Sequence, residues 1–430
     1  MKRKVLVIGS GAREHAFVWA FKKDPKIEKI FCSPGNGGTD SLCDNVDLDI
    51  SNHGEIIDFV ISNEIDLTLV GPEIPLSEGI VDSFKKERLQ IFGPDKFASK
   101  LESSKIFARD VMLEYKIPQP KYYSCSTINE AKAVKTKLGL PIVLKADGLA
   151  AGKGVIICHN QQEFDIGLDQ MFKKNVFGDA SSKVSVEEFL EGEELSVFAI
   201  CDGSSYKILN TAQDHKRIFD NDLGPNTGGM GAYSPTPLSN SDLLDETATK
   251  IIEPILQAMV DFGHPYVGFL YVGIMIKDDH PYVIEFNVRM GDPETQVVIP
   301  LLKTSLYDLL LSAINGKLDE VEIEKLDDYA VCVVVASKGY PESYVKGDVI
   351  SGIELIDDSL VFHAGTKIEK NKFITNGGRV LSIVSYGNSL SSAIENVYAN
   401  VSKVNFSNKF FRTDIGKKGL LYKRSVINED

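Results

Sequence analysis

Through its first hundred residues the chain alternates short, unbroken apolar runs with helical stretches, and a glycine turn follows each run. Val5-Leu6-Val7-Ile8 reads as a strand buried on both faces, Gly9-Ser10-Gly11 as a tight turn, and Ala12 to Lys22 as a helix. Strand Ile27 to Cys32 leads into the turn Ser33-Pro34-Gly35-Asn36-Gly37-Gly38, and a helix is expected near Glu55 to Ser62. Strand Asp66 to Val70, the turn Gly71-Pro72-Glu73 and a helix from Ser77 to Lys86 complete the series. Strands without polar alternation, joined by helices, need a parallel sheet covered on both sides. This is a doubly wound α/β unit, and its ligands lie at the carboxyl ends of the strands, where these turns fall.

Gly9-Ser10-Gly11-Ala12-Arg13-Glu14-His15 is not a nicotinamide-cofactor fingerprint. The third glycine would be Glu14, and no ribose-binding acid follows Cys32. A phosphate on the helix N-terminus, with Arg13 beside it, is compatible with the same residues. His15 reads equally well as helix surface. Asn36 and Glu73 sit in turns that punctuate the chain but also fall at strand ends.

Phe92-Gly93-Pro94 closes this unit, and Leu101 to Tyr115 reads as one helix with Lys105 near its start. After the linker Ile117-Pro118-Gln119-Pro120, a second α+β unit begins at about Tyr122. Its strand Ile142-Val143-Leu144-Lys145 runs into Ala146-Asp147-Gly148-Leu149-Ala150-Ala151-Gly152-Lys153-Gly154-Val155. Small residues and two lysines between two strands make a flap whose amide groups can approach phosphates. It is not a Walker A loop, because a strand follows it rather than a helix. The acidic turn Glu187 to Glu194 could bond an adenine amino group and ribose hydroxyls, or could be solvated surface. Asp214-His215-Lys216-Arg217 and Gly224 to Tyr233 are expected as a long irregular substrate loop. A helix from Asp242 to Phe262 and a strand from Gly268 to Ile276 follow.

Next comes Pro281-Tyr282-Val283-Ile284, a strand that runs into Glu285-Phe286-Asn287-Val288-Arg289 and Gly291-Asp292-Pro293-Glu294-Thr295. Period-2 alternation puts Glu285, Asn287 and Arg289 on one face. A carboxylate and an amide oxygen suit a hard cation such as Mg²⁺, and the planar Arg289 fork suits a carboxylate or phosphate. A solvated edge-strand face is the competing reading. From about residue 327 a third unit reads as a small antiparallel sheet with a helix, containing His363 and Arg379. No domain is expected beyond Asp430.

Composition excludes some classes. A formal charge of −14 and a pI near 5.1 argue against a nucleic-acid or membrane-surface binder, so an anionic substrate needs a local positive pocket. Six cysteines without C-x-x-C pairs fit reduced thiols in the cytoplasm. The chain opens on a strand too short for a signal-peptide core, and no run approaches membrane-spanning length.

In order along the chain, GSGAREHA from Gly9, KADGLAAGKGV from Lys145, QDHKR from Gln213, GPNTGGMGAYSP from Gly224, EFNVRMGDPETQ from Glu285 and TNGGRVL from Thr375 together resemble one family. It is the phosphoribosylamine–glycine ligases, ATP-grasp enzymes of purine synthesis. Two departures stand out: Ala12, where the family commonly has glycine, and Phe269-Leu270-Tyr271-Val272-Gly273, which offers no metal-binding acid.

The resemblance implies three units: a doubly wound Rossmann-like domain over 1–101, a two-lobed ATP-grasp domain over 102–326 with a mobile flap at about 121–190, and a C-terminal α+β domain over 327–430. It implies that ATP, glycine and 5-phosphoribosylamine give glycinamide ribonucleotide through a glycyl phosphate, in a cytoplasmic monomer using Mg²⁺ or Mn²⁺. Lys105, Lys145 and the flap with Gly148, Gly152, Lys153 and Gly154 would bind ATP phosphates. Glu187 would meet the adenine amino group, Leu190 the ring edge through its backbone, and Glu194 the ribose. Glu285 and Asn287 would hold the metal. Arg289 would grip the glycine carboxylate and Asp214 its ammonium, with Lys145, Asp214 and Arg289 as the catalytic set. Gly9, Gly11, Arg13, Glu14, His15, Asn36, Glu73, Gly291, Asp292, Pro293, Glu294 and Thr295 would cradle phosphoribosylamine.

Overall fold

The computed structural model of the protein describes residues 2–149, 154–173 and 183–427. Its N-terminal unit is a parallel sheet in the order Asp44–Asn45, Ile27–Pro34, Arg3–Gly9, Leu67–Val70, Ile91–Phe92. Val5 and Val7 pack with Phe17 and Phe21 of helix Ala12–Lys23, whereas Leu6 and Ile8 pack on the other face with Ile56, Val60 and Phe84. The central strand is therefore sealed from water on both sides, as its apolar run requires. The helix expected from Ser77 starts earlier, as Glu73–Glu78, then bends at Gly79 (φ +93°) and resumes as Ile80–Lys86. A left-handed residue ends one helix at little cost only when it is glycine.

A small antiparallel lobe follows, with strand order Tyr122–Cys125, Val184–Glu188, Ile142–Ala146, Val155–Cys158. Helices Ile128–Leu138 and Gln161–Leu168 pack on it through Ala131, Val134, Phe164 and Leu168. The single helix expected over Leu101 to Tyr115 is two, Lys100–Ser103 and Lys105–Glu114. Ser104 between them is extended, and its Oγ accepts from the Phe107 amide at 3.1 Å as an N-cap. The same hydroxyl donates to Asp147 Oδ1 at 2.9 Å, which ties the start of the flap to the helix bearing Lys105.

The central sheet, nine strands among the described residues, runs His280–Asn287, Val267–Lys277, Glu193–Asp202, Tyr206–Asp214, Gly231–Ser234, Tyr329–Ser337, Arg379–Gly387, Leu360–His363, with Lys409–Phe410 also paired to Tyr329–Ser337. The sheet expected of the C-terminal unit is thus an extension of the central one, joined where Gly231↔Val333 and Ser234↔Ala330 pair. The stretch expected to be irregular also contains strands: Arg217–Phe219 and Leu223–Asn226 form a hairpin before Gly231–Ser234 enters the sheet. Glycine and asparagine carry little strand propensity, so this pairing comes from tertiary partners. Helix Leu390–Lys403 covers the C-terminal strands with Ala393, Val397 and Val401. All six cysteines are free, and among the described residues no helix is long and apolar enough to cross a membrane.

Candidate active site

Strand His280–Asn287 is the edge of the central sheet that meets the small lobe. Its register against Val267–Lys277 skips Ile284, with Gly273↔Glu285 beside Ile274↔Val283. Such a bulge re-aims the residues next to it. Glu285 and Asn287 emerge on one face, as alternation predicts. Lys216 Nζ and Lys105 Nζ lie 3.9 and 4.0 Å from the Glu285 carboxylate. Burial alone would raise the pKa of Glu285, but Lys216, Lys105, Lys145 and Arg289 hold it down at about 2. An ionised carboxylate and an amide oxygen, flanked by lysine ammonium groups that suit phosphates, fit a hard divalent ion that takes its remaining ligands from phosphates and water. The facing residues Tyr271 and Gly273 add no acid.

Lys145 is buried on strand Ile142–Ala146, and its Nζ donates to the Ile284 carbonyl at 2.9 Å and contacts Glu187 Oε2 at 3.0 Å. Burial lowers its pKa to about 8, with Glu187 opposing. The sequence pointed Glu187 at an adenine amino group. In the structure its carboxylate accepts from Arg109 Nε (3.0 Å) and Ser185 Oγ (2.9 Å) on one oxygen, and from Arg109 Nη2 (2.7 Å) and Lys145 on the other. That fills a carboxylate's acceptor capacity and turns the side chain toward the lysine. Leu190 is buried close by in sequence, and Glu194 pairs with Lys216 at 2.8 Å. Of the flap, Gly148, Leu149 and Gly154 are among the described residues; Gly152 and Lys153 lie outside them.

Arg289 does reach the cleft, but in company. Its Nε donates to Glu73 at 3.3 Å, while Nη2 donates to Glu102 at 2.8 Å and to Asn287 Oδ1 at 3.3 Å. Glu102 also accepts the Val288 amide at 2.8 Å, so it fixes both the strand end and the guanidinium. Burial raises the Glu294 pKa to about 8, with the Asp214 charge adding to it, and burial raises Asp214 to about 6. Burial thus holds both acids toward their neutral forms. Gly228 and Gly229 of the glycine-rich stretch are clamped to the 291–295 turn by Arg379, whose Nη1 donates to Gly228 O (2.6 Å) and Asp292 O (2.7 Å). Pro293 packs on Gly229, where a side chain would have no room. Thr295 Oγ1 donates to the Gly291 carbonyl and closes the turn.

The first glycine turn is built differently from expectation. The seat foreseen for a phosphate at the helix N-terminus holds Glu14, which accepts the Gly11 amide at 2.6 Å and Arg13 Nε at 2.6 Å. Glu14 lies where side chains on Gly9 and Gly71 would have to go, so those glycines admit it. Arg13 also donates to Met290 O at 3.2 Å, which brings this turn against the 291–295 turn. His15, expected at the substrate, is an interdomain joint: its Nδ1 accepts the His363 amide at 2.9 Å and its ring packs edge-on against Phe362. Asn36 is likewise committed, donating to Ser10 O (2.9 Å) and His363 O (2.7 Å) and accepting the Gly38 amide (2.8 Å).

The positive pocket implied by the net charge is thus a set of cations each matched with an acid. Arg109, Glu102 and Lys216 went unassigned in the sequence. Arg109 had a visible signal, since it lies four residues after Lys105 on one helix, the spacing that puts two side chains on one face.

Two lobes that meet at a buried lysine, Lys145, on one side and an acid-amide strand end, Glu285 and Asn287, on the other have the arrangement of an ATP-grasp protein. Family models of phosphoribosylglycinamide synthetase match its N domain over residues 3–102, its ATP-grasp (A) domain over 103–295 and its C domain over 330–418. The chain is 47% identical to the phosphoribosylamine–glycine ligase of Halalkalibacterium halodurans, covering 97% of each chain. It is 44% identical to that of Pseudomonas syringae pv. tomato, covering 99% of this chain and 100% of the other. The solved phosphoribosylamine–glycine ligase of Thermotoga maritima superposes with a TM-score of 0.84 at 33% identity, over 96% of this chain and 100% of that one. The chain belongs to the phosphoribosylglycinamide synthetase family.

Proposed function

We propose that this chain is a phosphoribosylamine–glycine ligase of the second step of purine synthesis, joining glycine to 5-phosphoribosylamine with ATP cleaved to ADP and phosphate. The observation that carries the reading is the bond from Lys145 to the Ile284 carbonyl, which sets a phosphate lysine beside the Glu285–Asn287 strand end.

A carboxylate does not acylate an amine at neutral pH, so glycine must first be activated. Its carboxylate oxygen attacks the terminal phosphorus of ATP, ADP leaves, and glycyl phosphate forms. The amine of phosphoribosylamine then attacks the acyl carbon and loses a proton, and phosphate leaves with the former carboxylate oxygen. Lys105 and Lys145 bind the ATP phosphates, and in-line transfer then depends on positioning and charge neutralisation. The 147–154 flap excludes water from the labile acyl phosphate. Leu190, through its backbone, and Glu194 hold the adenine edge and ribose; the four donors on Glu187 leave it no acceptor for the adenine amine. Glu285 and Asn287 would hold Mg²⁺, or Mn²⁺ in its place, and the ion would neutralise the phosphates' charge.

Arg289 binds the glycine carboxylate, with one Nη1 hydrogen not taken by Glu73, Glu102, Asn287 or Met290. Asp214, the more acidic of the Asp214–Glu294 pair, takes the glycine ammonium. Phosphoribosylamine lies against the joined Gly9–Arg13 and Gly291–Thr295 turns, beside Glu73. The enzyme works as a cytoplasmic monomer. ADP release measured with ATP and Mg²⁺ tests the substrates: turnover requires glycine and freshly made phosphoribosylamine together, and turnover with bicarbonate in place of glycine would assign it to another ATP-grasp ligase.

A further inference from the structure

We infer that Arg109 is a positioning residue for the ATP-phosphate lysine, fixing Lys145 through Glu187 between the small lobe and the strand that carries Glu285. The inference rests on the reading that Lys145 binds ATP, and it adds a residue that the nucleotide never touches.

Arg109 lies on helix Lys105–Glu114, two per cent exposed, and its five N–H donors meet five acceptors. Nε and Nη2 fork onto the two oxygens of Glu187 at 3.0 and 2.7 Å. Nη2 also reaches Ile284 O at 2.7 Å, and Nη1 reaches Val283 O at 2.9 Å and Gln119 Oε1 at 3.4 Å. No donor is left for a ligand, so a direct catalytic contact is excluded by count. What Arg109 does instead is join three elements: its own helix, strand Val184–Glu188 of the small lobe, and strand His280–Asn287 of the central sheet.

Lys145 stands at the junction. It shares Glu187 Oε2 and Ile284 O with Arg109, so the two cations are held on the same pair of acceptors. Among the described residues these contacts occupy two of the three ammonium hydrogens, and the third is the one offered to a phosphate. A flexible lysine on four methylenes would otherwise lose rotamer freedom on each binding event. Here that ordering is done in advance by a buried, bidentate pair.

A lysine at position 109 cannot replace the fork, because three donors from one point cannot meet five acceptors arranged around a plane. The test measures ATP affinity by calorimetry without glycine, and KM for ATP and for glycine from ADP release, in Arg109→Lys, Glu187→Gln and Lys145→Met. Arg109→Lys is expected to weaken ATP about tenfold, or about 1.4 kcal/mol, with KM for glycine moved less than about twofold. Glu187→Gln keeps the shape and gives the same ATP-selective loss, so it carries the test if Arg109→Lys does not fold. Unchanged ATP affinity in both variants, or equal losses for ATP and glycine, overturns the inference. Wild-type ATP affinity in Lys145→Met overturns the ATP-lysine reading beneath it, whereas loss there alone, with both other variants unaffected, overturns only the role of Arg109.

Discussion

Lys145 Nζ donates to the backbone carbonyl of Ile284 at 2.9 Å, and the next residue is Glu285. One lysine from the small lobe is thereby bonded to the strand whose end carries the acid and amide oxygens of the cleft. The proposed function puts the ATP triphosphate and its divalent ion at this junction. The remaining residues of the site are arranged to keep that junction charged, dry and aligned.

Glu285→Ala removes the only carboxylate near Lys105 and Lys216 on this strand. Ligation is expected to fall by about a thousandfold, on the scale of losing a principal charge-stabilising group. Circular dichroism should remain that of the wild type. Substantial ADP release at saturating Mg²⁺ and ATP would contradict the assignment.

Arg289→Lys keeps the charge and loses the fork that now spans Glu73 and Glu102. Raised KM for glycine or lowered kcat is expected, on the order of tenfold to a hundredfold in kcat/KM. Initial rates at limiting glycine decide it, and an unchanged rate counts against the role.

Arg379→Met frees the carbonyls of Gly228 and Asp292 and leaves Asp292 without its 3.2 Å partner. Breaking a buried pair on one side costs about 3–5 kcal/mol, less here because the two side chains are 21% and 15% exposed. Lower Tm is expected, together with weaker use of glycine and phosphoribosylamine than of ATP. Equal effects on all three KM values would mean the clamp does not serve the substrate loop.

Glu294→Gln probes the buried acids by pH. The folded-state pKa of Glu294, about 8, lies above its ordinary 4.5, so the folded protein holds that proton more tightly than the unfolded chain. Its stabilising contribution is complete below about 4.5 and lost as pH rises through about 8. The Tm of Glu294→Gln relative to wild type should therefore rise between pH 5 and pH 9, as scanning calorimetry would show. A constant difference across that range would mean Glu294 is not buried as an acid.

The parallel sheet was legible because Val5 to Ile8 has no polar residue to face water, and the Glu285–Asn287 pair because a strand repeats every two residues. The strand carrying Lys145 was legible from the apolar run before the glycine flap. What escaped is pairing over distance. Arg109 meets Glu187 across 78 residues, and His15 meets His363 across 348, and no local period records either. The seat that Glu14 takes at the helix N-terminus escaped for a related reason. The helix N-terminus favours any negative group, and the sequence does not say whether a ligand's phosphate or the chain's own carboxylate takes it. The break at Ser104 was readable in principle from an N-cap residue inside a helical run, and the strand Gly231–Ser234 was not, since its partners come from the far end of the chain.

The central claim is that this cleft passes the terminal phosphoryl of ATP to a carboxylate oxygen of glycine. Turnover with glycine carrying ¹⁸O in its carboxylate, followed by mass spectrometry of the released phosphate, tests it directly. One labelled oxygen in each phosphate is the predicted result; unlabelled phosphate, formed alongside glycinamide ribonucleotide, would contradict it.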